Sequence, residues 1–371
     1  MKDVSLVPAS ADAQRPNGRV EGVDFIRGTA LLVIMVDHVE LCCGVKVLSQ
    51  ITLHRWGLSD ALEIFVFLSG FVFGLSSDRS LSRGFVSLQL KALCRSGVLI
   101  LANVFTFIFV LFLLMGLLPL SMDAVVEMNF LHAISSPLAS TIQLAFLRFQ
   151  PFGFGILRLY ASLLVVMPTM LWVLRRSKPA AILVSFGIYG CVQLWPTLNF
   201  ENYNGVLWTI NPFAWQFLFV CGMLTSCFSR QLPSVSIPTS VILFVVAVAL
   251  TCLVNSHSGF EFFHRQVWLI RKQTLGPIRL LHFCLIVLAI IPAVDRFPEC
   301  ALRSLVVSCG RFPLEVFIYG LIVTYVAKLG SSFSSGVSTF TFVVFECAAI
   351  GGAFLLACFL AQTDRRTASS C

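Results

Sequence analysis

The sequence predicts an all-α integral membrane protein with about ten transmembrane helices and both termini in the cytoplasm. Three observations carry this. Of 371 residues, 57% are hydrophobic and only 12% charged, against roughly 45–50% and 25% in soluble domains, and the mean hydropathy is +0.90. The apolar residues come in runs of roughly 20, the length a helix needs to cross the hydrocarbon core. Lys and Arg gather in alternate connections: with the N-terminus inside, thirteen fall in cytoplasmic segments and seven outside, the bias that sets topology.

In chain order, the polar opening "MKDVSLVPASADAQRPNGRVEG" lacks the apolar core of a cleaved signal peptide. Residues 1–22 therefore read as a cytoplasmic tail, 23–362 as one multi-pass membrane domain and 363–371 as a C-terminal tail. Candidate spans lie near 24–46, 58–77, 86–118, 154–174, 179–196, 212–229, 238–255, 277–294, 304–327 and 337–361. The connection from 119 to 153 is the longest, moderately apolar and interrupted by Pro, which suits a re-entrant or interfacial helix. No internal repeat is evident. The formal charge of +8 is dispersed in ones and twos, with no basic stripe for nucleic acid. Most of the 13 cysteines sit inside apolar runs as small hydrophobes, and no His/Cys spacing fits a metal.

The first span, "DFIRGTALLVIMVDHVE", contains Arg27, Asp37 and His38. An ionisable residue in a span costs at least about 2.5–3.5 kcal/mol, so each needs a partner, a wet cavity or a function. Arg27 and His38 are eleven residues apart, which places them on one helix face about 16 Å apart along the axis. Arg27, near the cytoplasmic end, is also placed to snorkel to headgroups; His38, deeper, suits a general base, a proton relay or a structural role. Asp37 points about 100° away and reads as a partner for a neighbouring helix.

The second span opens with Ser59, Asp60 and Glu63. A capping box of the S/T-x-x-E form would pair Ser59 with Leu62 and is not expected, so Asp60 is read as an anion near the helix start. Asp60 and Glu63, three apart, share a face, and antiparallel packing against the first span would bring them towards His38. Later clusters are Asn211, Trp215 and Gln216 in "NPFAWQFLF" and Arg279 and His282 in "GPIRLLHF". Basic residues that resist the positive-inside bias occur in "LHRWGLSDALE", with Arg55, and in "HRQVWLIRKQ".

"VDFIRGTALLVIMVDHVE" followed by "LHRWGLSDALEIFVFLSGFVFGL", with "NPFAWQFLFVCG", "LGPIRLLHF" and "GRFPLEVFIYG" in order, resembles the OpgC family, which modifies osmoregulated periplasmic glucans with succinyl groups. The Arg27-x10-His38 spacing also resembles the signature of the acyltransferase-3 superfamily of membrane enzymes. The resemblance implies that Arg27 and His38 match the superfamily's Arg and catalytic His, and that Arg55, Asp60 and Glu63 match polar residues around its second helix. The chain departs from the pattern in "GILRLY", with Gly155 and Arg158 where the family tends to have Asp and Pro, in Glu40 for a usual Pro, and in Pro313 and Glu315 for Ser and Pro.

The expected protein is thus an O-acyltransferase of the bacterial cytoplasmic (inner) membrane. It moves an acyl group, succinyl by resemblance, from a cytoplasmic acyl-CoA to hydroxyls of a periplasmic or cell-envelope glucan. His38, with Glu63 and Asp60, forms the expected catalytic group; Arg27 meets the donor; Arg55, Trp215, Gln216, Arg279 and His282 meet the acceptor or an acyl carboxylate. No tightly bound cofactor or metal is expected, only succinyl-CoA or acetyl-CoA as co-substrate, with the bilayer and a glycan as partners, no nucleic acid, and homo-oligomerisation left open. The main rival is a proton-coupled transporter of a small anion, with Asp37, His38 and Glu63 relaying protons. The other is an inactive homologue acting as a scaffold, motivated by Gly155 and "GRFPLEVF".

Overall fold

A computed structural model describes residues 21–52, 58–116, 122–228, 235–256, 263, 266–333 and 338–369. The described chain is helical, with one isolated bridge, Glu201 to Leu207, as the exception to helix and loop. The main helices are α1 (Glu21–Cys43), α2 (Ala61–Ser76) and α3 (Phe85–Gly116), then short α4 (Met122–Glu127), α5 (Leu131–Ser135) and α6 (Pro137–Ala145). There follow α7 (Gly155–Arg176), α8 (Lys178–Leu194), α9 (Pro212–Cys227), α10 (Ile237–Asn255), α11 (Pro277–Arg296), α12 (Ala301–Arg311), α13 (Pro313–Phe333) and α14 (Thr339–Ser369).

Among the described residues, six helices are long and apolar enough to cross a membrane: α3, α7, α10, α11, α13 and α14. With α2, α8 and α9 apolar but shorter, the fold is that of a multi-pass membrane protein. At 16 residues, α2 spans about 24 Å, short of the roughly 30 Å hydrocarbon core. The 23-residue α1 is long enough, but Asp24, Arg27, Asp37 and Glu40 keep it out of the apolar set.

Two boundaries differ from the sequence reading. The ninth candidate, 304–327, is two helices, because Pro313 disfavours helical geometry at the residue before it: Phe312 sits at φ −117°, ψ 60°. Pro313 then serves as the first residue of α13, where its missing N–H costs nothing. The last helix also continues through the expected C-terminal tail to Ser369, and the 119–153 connection folds into α4 to α6.

The helix starts follow local chemistry. At α8, α9 and α10 a Ser177, Asn211 or Ser236 side chain accepts from the first turn, and a Pro lies in that turn. Between helices, where lipid is as apolar as Leu, close backbone approach is what favours association. α1 lies on α12 at Gly28 and Gly310: a Cβ on Gly28 would stand 2.0 Å from the Val306 carbonyl oxygen, and one on Gly310 1.8 Å from that of Asp24. Likewise α2 and α9 interlock at Gly70, against the Phe219 carbonyl, and Gly222, against that of Phe67. An aromatic centre of Phe107, Phe130, Phe149, Phe154 and Tyr325 joins α3, α7 and α13 to the short helices.

Candidate functional site

The Gly28–Gly310 contact fixes how α1 presents its polar residues. Arg27 is buried, with its Nη1 3.8 Å from Asp24 Oδ1. His38, eleven residues on, is half-buried and meets the Phe152 ring edge-on at a centroid distance of 5.4 Å. Tyr325 holds that neighbour, donating its hydroxyl to the Phe152 carbonyl at 2.9 Å.

The residues around His38 on α1 secure the chain that follows. Glu40 accepts backbone N–H bonds from Val47, Leu48 and Ser49 at 2.9, 2.6 and 3.0 Å, so its carboxylate organises the turn leaving α1. This is a job that a Pro at the same position cannot do, since it has no acceptor side chain. Asp37 accepts from the Thr52 hydroxyl at 2.8 Å. One partner of Asp37 is thus in the connecting segment.

The start of α2 carries a charge cluster. Asp60 is the N-cap and Glu63 completes a capping box with it: Asp60 Oδ1 accepts from Leu62 N, and Glu63 Oε2 accepts from Asp60 N, both at 2.9 Å. The capping box judged absent is therefore present, one residue later than the Ser59 register and with Asp as the cap. Arg279 on α11 bonds Glu63 through Nε and reaches Asp60 Oδ2 through Nη2 at 3.2 Å. Lys272 adds its ammonium to Asp60 Oδ2. Two cations and two carboxylates leave the cluster neutral.

His282 sits one turn along α11, fully buried. The Ser59 backbone N–H donates to Nδ1 at 3.3 Å, with Ser59 Oγ at 2.7 Å and Thr251 Oγ1 3.2 Å from Nε2. A ring nitrogen that accepts from a backbone N–H carries no proton, so His282 is the neutral tautomer donating from Nε2.

The sequence-predicted residues therefore separate into groups. Asp60, Glu63 and Arg279 come together, with His282 beside them through Ser59. The expected bond from Glu63 or Asp60 to His38 is not made, because the capping box and Arg279 take up those carboxylates. Trp215 is fully buried and donates Nε1 to the Lys272 and Gln273 carbonyls at 3.1 and 3.3 Å, so it props the turn that presents Lys272. Gln216 faces α8, exchanging bonds with the Ser185 side chain and carbonyl. Arg55 lies outside the described residues. Sequence reasoning missed Lys272 as a site residue, although it belongs to the flagged "HRQVWLIRKQ" cluster. It missed Phe152 too, for which spacing gave no signal.

The fold and this site define a multi-pass membrane protein with a polar helix face and a buried, charge-balanced brace. The chain belongs to the OpgC family: residues 19–365, nearly all of it, match the family described as OpgC protein. No curated protein and no solved structure matches the chain. The family name implies transferase activity.

Proposed function

We propose that the protein is a membrane O-acyltransferase of the acyltransferase-3 type that takes an acyl group, succinyl as the first choice, from a cytoplasmic acyl-CoA to a hydroxyl of a periplasmic or envelope glucan. The observation that carries the reading is the family match across residues 19–365, together with the Arg27 and His38 face of α1 that it includes. Both termini are then cytoplasmic, and Arg27 lies towards the donor side.

A thioester is already activated, so the protein has to align two substrates and remove a proton from a hydroxyl. Arg27 attracts donor phosphate as a fixed cation with several N–H groups. His38 takes the proton as the acceptor oxygen attacks the thioester carbonyl; the C–S bond breaks and CoA leaves as the thiol once it receives that proton. The Asp60–Glu63–Lys272–Arg279 cluster, being charge-balanced, serves to hold α2, α11 and the 272–276 turn in one arrangement.

Mass spectrometry of envelope glycans tests this in cells with the wild-type protein, with His38→Ala and without the gene. The expected result is one acyl mass increment per modified hydroxyl in the wild type alone, its size naming the group. Identical glycans in all three strains would sink the proposal and return weight to an anion transporter.

A further inference from the structure

Three arginines are buried in the described chain: Arg27, Arg158 and Arg279. Arg27 has Asp24 at 3.8 Å and Arg279 has Asp60 and Glu63. Arg158, in the first turn of α7 and only 2% exposed, has no carboxylate within 4.0 Å among the described residues. Its Nη1 donates to Asn202 Oδ1 at 2.6 Å and to the Leu147 carbonyl at 3.3 Å, and the guanidinium stacks 3.8 Å above the Trp208 ring. Its Nε has no acceptor, and neither has the indole N–H of Trp208, which is 4% exposed. Burying a cation and two N–H donors without acceptors is strongly unfavourable unless something else supplies the acceptors.

The surroundings favour an anion. No side chain caps the N-terminus of α7, whose free N–H groups and dipole attract negative charge. Gln150 lies against that terminus: its Nε2 would be 2.2 Å from a Cβ on Gly155. Gln150 Oε1 is also without a partner, while Nε2 bonds Thr209 Oγ1 at 2.9 Å. Turning the amide over lets the Thr209 hydroxyl donate to Oε1 and presents Nε2 as a third donor. Thr209 is exposed, and Gln150 and Asn202 are half-buried, so the surface lies one side chain away from the buried donors. The group is also tied to the candidate site, because Gln273, next to Lys272, donates to the Trp208 carbonyl at 2.7 Å.

We propose that Arg158, Trp208 and Gln150 form a binding site for one carboxylate group of a substrate. The carboxylate belongs either to the free end of a dicarboxylic acyl group or to an acidic acceptor. The choice of probe rests on the acyltransferase reading, but binding is measured without turnover, so failure of either idea is seen separately.

The test is equilibrium binding of labelled monomethyl succinate to the purified full-length protein in nanodiscs, with dimethyl succinate as the uncharged control. Wild type binds the half-ester and not the diester. Arg158→Gln weakens binding by at least about tenfold, on the scale of a charge-assisted pair. Gly155→Asp does the same by placing an internal carboxylate three residues before Arg158 on the same helix face, displacing only the end of Gln150; Trp208→Phe removes a donor with little change of shape and gives a smaller loss. Failure of the wild type to bind the half-ester would overturn the proposal, as would equal binding by wild type and the folded variants. Transfer from succinyl-CoA and acetyl-CoA then identifies the source: loss with succinyl-CoA alone assigns the site to the acyl group, and equal loss with both assigns it to the acceptor.

Discussion

Arg279 and Arg158 are both arginines buried in the first turn of a helix, yet their settings are opposite. Around Arg279 the carboxylates of Asp60 and Glu63 balance the charge, with Lys272 balancing the second carboxylate. Around Arg158 there is an aromatic face, an amide and a carbonyl, and no anion among the described residues. A compensated cation is a fastener, whose removal strands its partners; an uncompensated one is held at the expense of stability and is expected to serve a ligand.

The largest expected effect is from Arg279→Met, which strands the buried Glu63 carboxylate and should cost about 3–5 kcal/mol, read as a large drop in the thermal midpoint in detergent. A midpoint close to wild type would break the distinction between the two arginines. Asp60→Asn keeps a good N-cap but removes one charge, and should cost about 1–2 kcal/mol near neutral pH, a figure reduced by the half-exposed Lys272.

Trp215→Phe removes the indole N–H that holds the 272–273 carbonyls, for a loss of about 1 kcal/mol and a looser Lys272 turn, measurable by hydrogen exchange. Arg158→Gln should be the smallest change, within about 1 kcal/mol of wild type, since relief of cation burial offsets the lost hydrogen bonds. A destabilisation like that of Arg279→Met would make Arg158 a structural residue after all.

Much of the helical layout was legible because long apolar runs report helices whatever their partners. Arg27 and His38 share a face by spacing alone, and α9 begins at Asn211–Pro212 as its chemistry requires. The split at Phe312 falls where Gly310, Arg311, Pro313 and Glu315 interrupt the apolar run, helix-end signals that a reading by span length passed over. The candidate site was only half legible. Local spacing paired Asp60 with Glu63 and Arg279 with His282, but the bond from Lys272 to Asp60 crosses 212 residues and that from Arg279 to Glu63 crosses 216, distances over which no periodicity speaks. The neighbourhood of Arg158 is assembled from Leu147, Gln150, Asn202 and Trp208, drawn from two loops, and no pattern in one sequence joins them.

The contact between Gly28 and Gly310 also bears on how activity data on this chain would read. With carbonyl oxygens seated where side chains would begin, α1 has one permitted rotation about its own axis, and that rotation aims both Arg27 and His38. The compass bearing of the reactive face is thus set by two residues that offer a substrate nothing to touch. A scan scored by turnover will mark both glycines as essential, and a map of essential positions will draw the active site larger than it is.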